Sequence, residues 1–381
     1  MKTYDWIVIG GGITGAALAY ELIKKGFSIL LLEQNAIANN ATRYSYGGLA
    51  YWSATTPLTR QLSTEAIARH HILSQELDAD MEFRELNLLL TIPVDSDPLA
   101  TAALYKHVAT PPQLLTIKEA CELEPLLNPQ AIAGALTVKH GHINPDKIVQ
   151  AYIQAFLRAG GEIQFEQVLQ ILPDGVTTTT TTYHSGDIVI CAGGLSRQLL
   201  KSAGISIKLY FTHAEMIKTP PVDVQLQTLI TPANLQRFKL ETKSTQVDEL
   251  WDEPGNEIVA PILDAGVVQF VDGSLRIGQI SRTLTDVNAK VNAKESEEWL
   301  RKSIGNVLPA LENVAGTWHH CVAAFSNNSL PMIGAIPGFT NVHIFSGFSN
   351  PLLIVPPLAE RFANFIAGEK DDIITKMSPQ R

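Results

Sequence analysis

This sequence predicts an α/β protein of two parts: a parallel sheet flanked by helices, and an α+β part built on an antiparallel sheet. Three observations predict it. Residues 1–33 pass through an apolar strand, a glycine turn, a helix and a second apolar strand. Apolar runs at 187–191 and 341–345, each beside glycines, read as further buried strands. Between them, residues 209–280 hold strand-like runs separated by turn signals. A chain of 381 residues is too long for one small core, so two compact units are expected.

Each element of the opening unit has a reason. Residues 6–9 are an apolar run of parallel-strand length. Gly10-Gly11-Gly12-Ile13-Thr14-Gly15 then satisfies G-x-G-x-x-G. A helical pattern covers 16–25, and Gly26 closes it as a C-terminal cap. Residues 28–32 form the second strand and end in Glu33, close to the roughly 20-residue spacing expected between such glycines and an acidic residue. Gly10 permits the tight turn, Gly12 lets the backbone approach a pyrophosphate, and Gly15 lets helix and strand pack closely. The helix N-terminus offers unpaired N–H groups and partial positive charge to phosphates. Glu33 can accept hydrogen bonds from an adenosine ribose. The whole unit predicts a Rossmann-like dinucleotide-binding domain.

Composition excludes several classes. The net charge of -9 argues against a nucleic-acid surface, which needs clustered Lys and Arg. No apolar run reaches the length of a membrane span. The N-terminal run has glycines where a signal peptide has its apolar core, so a cytoplasmic protein is expected. Cys121, Cys191 and Cys321 are widely spaced and form neither a metal motif nor a disulfide framework. No metal site is expected. The threonine run at 177–182, set between Gly175 and Gly186, reads as a small hairpin layer.

Later motifs extend the opening unit. Asn40-Ala41-Thr42-Arg43-Tyr44-Ser45-Tyr46-Gly47-Gly48-Leu49 is a polar, glycine-bearing loop. The strand at 187–191 runs into Ala192-Gly193-Gly194-Leu195-Ser196. Ser329-Leu330-Pro331-Met332-Ile333-Gly334 precedes the strand at 341–345 and Gly347-Phe348-Ser349, and a helix at 357–368 follows. Gly141-His142-Ile143-Asn144-Pro145 opens another helix. Together these resemble the D-amino-acid oxidase superfamily of flavoenzymes, which includes glycine oxidases, sarcosine oxidases and related amine dehydrogenases. The resemblance covers nearly the whole chain. It implies FAD as cofactor and a glutathione-reductase-like variant of the Rossmann fold.

The resemblance also implies contacts. Gly10, Gly12, Ile13, Thr14, Gly15, Glu33 and Gln34 would hold the ADP half, with the backbone at Val168 meeting adenine. Thr42, Arg43, Ser45, Gly47, Gly48 and Leu49 would run along the pyrophosphate to the flavin ring. Ala192, Gly193 and Gly194 would pack beside the cofactor. Gly347, Phe348, Ser349, Asn350 and Leu352 would lie at its pyrimidine side.

Catalytic expectations rest on fewer residues. Gly273-Ser274-Leu275-Arg276-Ile277-Gly278 resembles a sarcosine-oxidase segment whose lysine sits over the flavin and promotes reaction with oxygen. Arg276 keeps that positive charge; a surface ion pair is its plainer reading. His213 is a second candidate, set against a structural strand histidine. Two departures stand out. The arginine that clamps the substrate carboxylate in glycine oxidases falls here on Ala323, and the loop after Gly347 carries no charge. Either the substrate lacks the usual carboxylate or the clamp has moved, with Arg43, Arg60 and Arg276 as places for it. Cys321 matches the cysteine that carries covalent flavin in monomeric sarcosine oxidases. FAD is expected to be non-covalent, with a link at Cys321 as the alternative should His319 or His320 lower its thiol pKa. Trp318, Phe325 and Phe348 read as pocket lining or as core.

The expected FAD-binding part is 1–85, 140–207 and 320–381, and the expected substrate part is 86–139 and 208–319. The latter holds strands at 209–218, 255–263, 267–271 and 274–280, and a helix at 295–306 covering the back of the sheet. The expected activity is oxidation of a C–N bond in a small amine or amino acid, with oxygen as acceptor. The alternatives are a dehydrogenase of the same fold, acting on a hydroxy acid or amine and feeding a quinone or carrier, and a flavoprotein without turnover. Substrate identity and oligomeric state are left open.

Overall fold

Apolar strand residues with alternating faces build the first sheet. In the computed structural model, which describes residues 2–379, strand Thr3–Ile9 lies between Thr182–Ile190 and Ile29–Glu33 and is parallel to both. Glu162–Phe165 extends the sheet on one side. Val342–Ser346 and the antiparallel Met332–Ala335 extend it on the other. Trp6 and Val8 face one core and Ile7 and Ile9 the opposite one, as the period of two requires. Helices Ile13–Lys24, Pro57–Glu76, Pro145–Arg158 and Pro351–Ile366 cover the first core. The threonine run falls in the hairpin layer that helps close the second, where Gly175–Thr178 pairs with both Val168–Leu172 and Thr182–Ile190.

Local chemistry sets the helix ends. Asn144 caps Pro145–Arg158, its Oδ1 accepting the N–H groups of Asp146 (3.1 Å) and Lys147 (3.3 Å), with Pro145 in the first turn. The expected helix at 357–368 begins earlier, at Pro351. Pro357 reads as a helix start, but it and Pro356 lie inside the helix. A proline has no N–H for the carbonyl four residues back. His70 from the neighbouring helix answers this at Pro356, donating from Nε2 to the Leu352 carbonyl at 2.9 Å. Burial pushes the His70 pKa down to about 4, so the ring stays neutral.

The second sheet runs Thr317–Ser326, Leu209–Pro221, Ser274–Arg282, Ile262–Gln269, Leu229–Pro232, Arg84–Pro93, Ile132–His142 and Gly48–Leu49. It is antiparallel except where Leu229–Pro232 lies parallel to Arg84–Pro93. Helix Ala293–Val307 packs Leu300 and Ile304 against Ile217 and Ile277 on its back. Three of its strands straddle the expected limits near 85, 140 and 320. Of the strand expected at 255–263, residues 255–261 are loop and 262–263 open strand Ile262–Gln269; Pro261 removes a ladder donor. That loop is tied down by Asn256 N–H to Thr285 Oγ1 (3.1 Å) and Ile258 N–H to the Thr283 carbonyl (3.0 Å). Gly48 and Leu49 pair with His142 and Gly141, so the loop at 40–49 leaves the first sheet and ends as the edge of the second.

Candidate functional site

Of the four glycines in the turn, Gly10 and Gly15 have no room for a Cβ, Gly11 would crowd the Glu33 side chain, and Gly12 meets only the ends of two polar side chains. Gly10 has φ +108°, and a Cβ there would stand 2.5 Å from the Cys191 carbonyl oxygen. A Cβ at Gly15 would stand 1.8 Å from the Gly10 oxygen. Gly12 has ordinary extended backbone, and its Cβ would meet only Thr42 Oγ1 at 3.3 Å and Asn40 Nδ2 at 3.9 Å. It therefore borders a cleft between the helix N-terminus and the loop at 40–49. Ile13 N–H donates to Thr42 Oγ1 (3.2 Å) across that cleft, and Thr14 Oγ1 donates to the Cys191 carbonyl (3.1 Å). Glu33 accepts from Gly11 N–H (2.7 Å) and Asn35 N–H (3.0 Å), which fixes its carboxylate while each oxygen keeps a lone pair. Gln34 beside it is exposed. Helix N–H donors, an oriented carboxylate and a Cβ-free approach fit the ADP half of FAD.

Val168 begins its strand half-buried. Gly193–Leu195 form a single 3-10 turn after Ala192, and a Cβ at Gly194 would stand 2.9 Å from Val322 Cβ, so the first sheet meets the second closely here. Gly347 has φ +80°. Phe348 is core, its ring 4.8 Å from that of Phe345, and Leu352 is buried with its carbonyl held by His70. Ser349 Oγ donates to the Ser329 carbonyl (3.3 Å). Around 347–352 the Phe348 and Leu352 side chains are buried while Ser349 is exposed, with Asn350 as the cap residue of the helix that follows.

Arg276 departs from its plainer reading. It is 3% exposed, donates from Nη1 to the Ser45 carbonyl at 2.6 Å and lies 4.4 Å from the Phe270 ring centroid. Asp146 is 3.8 Å from Nη2, and Nε has no partner. This is a buried cation anchored on the loop at 40–49, not a surface ion pair. Lys218 lies directly across the ladder, and burial, then Arg276, pull its ammonium pKa down. Arg43 folds back on its own loop, Nη1 to the Ala38 carbonyl at 2.9 Å. Gly47 N–H donates to Ser45 Oγ (3.2 Å).

Strand alternation separates the remaining candidates. Ala214, Met216 and Cys321 pack with Tyr44, and His319 stacks on Tyr44 with centroids 5.0 Å apart. That is the face toward the loop at 40–49. His213 is on the other face with Glu215, its ring stacked on His320 at 4.7 Å and both ring nitrogens unpartnered. Burial pushes its pKa down to about 4. Trp318 joins that back face by donating to Glu215 Oε2 (3.2 Å), and Phe325 packs on Tyr210 and Trp251. Arg60 donates to the His107 carbonyl and is exposed, outside the group around Arg276. Cys321 has neither histidine acting on it as expected: His320 points to the back face, and burial with nearby cations holds His319 below its usual value. Burial pushes the Cys321 thiol up to about 12, against a nucleophilic thiolate.

Four residues outside the sequence reading join the front face: Tyr46, Lys218, Arg237 and Asp264. The hydroxyl of Tyr46 and Oδ1 of Asp264 are buried without partners. An Arg–Glu pair at helical spacing, Arg237 and Glu241, was the one available signal, in a segment carrying little apolar periodicity. Among the described residues, no cluster of His, Cys, Asp or Glu is placed to hold a metal ion, and no helix is long and apolar enough to cross a membrane.

Comparison with known proteins bears on the family and the fold. A family model described as FAD dependent oxidoreductase (DAO) matches residues 5–365. A glycine oxidase of Geobacillus kaustophilus is 27% identical over 247 residues, covering 61% of this chain and 65% of the relative. A monomeric sarcosine oxidase of Streptomyces avermitilis is 32% identical over 219 residues, covering 53% and 55%. The chain thus spans less than two thirds of the length of these curated relatives. The crystal structure of glycine oxidase from Geobacillus kaustophilus has a TM-score of 0.79 at 20% identity, covering 100% of this chain and 99% of that one. That of L-proline dehydrogenase from P. horikoshii has a TM-score of 0.77 at 19% identity, covering 100% and 98%.

Proposed function

The chain belongs to the FAD dependent oxidoreductase (DAO) family, and from that premise we propose that it oxidises a C–N bond of a small amine or amino acid, with oxygen accepting the electrons. The observation that carries this reading is the buried Arg276 guanidinium, bonded to the Ser45 carbonyl on the loop at 40–49 and unpartnered at Nε. When bound, FAD supplies the two-electron chemistry by taking a hydride from the carbon beside the nitrogen.

This chain's residues bind, orient and stabilise. Gly10, Gly12, Ile13, Thr14 and Gly15 hold the pyrophosphate at the helix N-terminus, Glu33 and Gln34 hold the ribose, and the backbone at Val168 meets adenine. Thr42, Arg43, Ser45, Gly47, Gly48 and Leu49 hold the middle of the cofactor. Ala192, Gly193, Gly194 and the backbone from Gly347 to Leu352 close around it. Arg276 keeps a fixed positive charge in low-dielectric surroundings, where it stabilises arriving negative charge far better than in water. Lys218 adds a second cation at the same place. His213 is left out of the reacting set because it lies on the back face. Cofactor binding belongs to the first sheet and the loop, substrate binding to the second sheet. FAD is held without a covalent bond, since the Cys321 thiol stays protonated.

The test is an absorption spectrum before and after acid precipitation, followed by anaerobic mixing with a panel of amines and amino acids. Oxidised-flavin bands, colour released to the acid supernatant, bleaching by a panel member and rapid recovery in air are the expected results. Bleaching with slow recovery in air would replace oxygen by a quinone or carrier protein. No bleaching by any amine, with bleaching by a hydroxy acid, would replace C–N by C–O oxidation.

A further inference from the structure

Helix Pro351–Ile366 follows the turn at Gly347 and carries a defect in its second turn. Pro356 and Pro357 have no N–H groups, so the carbonyls of Leu352 and Leu353 lose the partners that a helix supplies four residues on. Both leucines are buried, so solvent does not replace those partners. His70, from helix Pro57–Glu76, makes good the first loss, with Nε2 2.9 Å from the Leu352 oxygen. A carbonyl only accepts, so the ring proton sits on Nε2 and Nδ1 is bare. The Leu353 carbonyl acts on the same ring. The ring is 1% exposed, stacks on Phe83 with centroids 6.0 Å apart, and has no partner at Nδ1. Among the described residues, the His70 side chain bonds to this helix alone.

Leu352 is where this bond has a consequence. The first N–H groups of a helix have no carbonyl four residues back. Pro351 has none to offer, and those of Leu353 and Ile354 turn onto the Asn350 carbonyl at 3.2 and 3.1 Å. The Leu352 N–H has no backbone acceptor among the described residues. One residue is thus held behind by its carbonyl and left open in front at its N–H. Its tie runs to a neighbouring helix, not to the next turn of its own, so the packing of two helices sets its direction.

We propose that His70 is a positioning residue for the cofactor: it replaces the helix bond that Pro356 lacks and so fixes the Leu352 N–H toward the negative charge of a reduced flavin's pyrimidine end. This rests on the reading of 347–352 as the pyrimidine-side contact. A fixed donor aimed at that charge favours the reduced form. His70 acts through Leu352 and needs no contact with the flavin.

The test combines His70→Leu, His70→Gln and Pro356→Ala. The alanine returns an N–H to position 356, so the helix can satisfy Leu352 by itself. Two readouts are taken: amide hydrogen exchange across 350–355 in the cofactor-free protein, and FAD Kd with flavin reduction potential in the loaded protein. In His70→Leu, exchange across 350–355 quickens, the FAD Kd rises about threefold to tenfold, the worth of one buried hydrogen bond, and the potential falls. His70→Gln keeps a donor and recovers part of each change. In the Pro356→Ala background, His70→Leu alters the FAD Kd by no more than about twofold, because the bond it removes has been replaced. A general loss of stability would neither move the potential nor be cancelled by that alanine. Unchanged exchange and potential in His70→Leu would overturn the proposal and leave the contact at 347–352 standing. Faster exchange with an unmoved Kd and potential would overturn it by removing 347–352 from the cofactor. If His70→Leu folds only in the Pro356→Ala background, with the potential of Pro356→Ala, the proposal holds; equal damage in both backgrounds overturns it.

Discussion

Two groups of buried charge in this protein are built on opposite rules. Behind the first sheet, Arg69 is surrounded by carboxylates: Glu21 Oε1 at 2.9 Å, Glu76 in a two-pronged pair, and Glu360 Oε2 at 3.4 Å. Lys24 joins both Glu21 and Glu76 at 2.9 Å. On the front of the second sheet, Arg276, Tyr46 and Asp264 each keep a buried polar atom with no protein partner. A buried polar group without a partner costs free energy. The first group has met most of that cost within the chain, with Arg69 Nε alone left without a hydrogen bond, 3.4 Å from Glu360, and it joins three helices. The second leaves it for whatever enters.

The largest effect should follow from breaking the first group. Arg69→Ala leaves Glu21, 1% exposed, with Lys24 as its one remaining close cation, and takes from Glu76 its two-pronged partner. Removing one partner of a buried pair costs on the order of 3–5 kcal/mol. Denaturant unfolding should show that loss, while the flavin bound per folded molecule stays at the parent value. Unchanged stability with lost flavin would invert the comparison.

Gly12→Val is the matching change on the ligand side. Gly12 has backbone angles open to any residue, and its Cβ would press only on Thr42 Oγ1 at 3.3 Å. The variant should fold, with unfolding of the cofactor-free form within about 1 kcal/mol of the parent. It should purify colourless, because the valine methyls fill the pyrophosphate approach. Retained yellow colour would remove Gly12 from the cofactor site.

The contrast also explains what could be read from sequence. The glycine turn, Glu33 and the Asn144-Pro145 cap are local: each acts within a turn or across adjacent strands, so spacing reveals them. The front face is not local. Arg237, Asp264 and Tyr46 lie far apart in the chain and meet only when antiparallel strands fix which side chains share a face. His213 shows the same limit in reverse, since a single residue's parity decides which side of the sheet it serves. The helix from Pro351 was hidden by its two internal prolines, of which Pro356 is answered by His70, distant in sequence.

Acid should separate the two groups more gently than either substitution. Glu76, held by Arg69, is pulled down to about 2. Its stabilisation is complete above the ordinary carboxylate value and is lost only as pH falls from there toward 2. Beside the loop at 40–49, burial pushes His140 down to about 4 and His142 to about 3. Both must be neutral in place: Trp52 Nε1 donates to His140 Nδ1 (3.0 Å), and Arg84 Nε points at His142 Nδ1 (3.4 Å). The unfolded chain binds these protons near the ordinary histidine value of about 6.5. Stability from the pair is therefore complete above that pH and is lost on acidification, at about 1.4 kcal/mol per pH unit for each proton. Between pH 6.5 and 4.5 the histidine side weakens while the Arg69 network does not. Flavin release, followed by its fluorescence, should begin in that window, before the helices unfold by circular dichroism. His140→Asn keeps an acceptor for Trp52 without titrating, so it should lower the slope of stability against pH by about one proton. An unchanged slope in that variant, or release and unfolding that coincide at every pH, would show that the loop and the network belong to one cooperative unit.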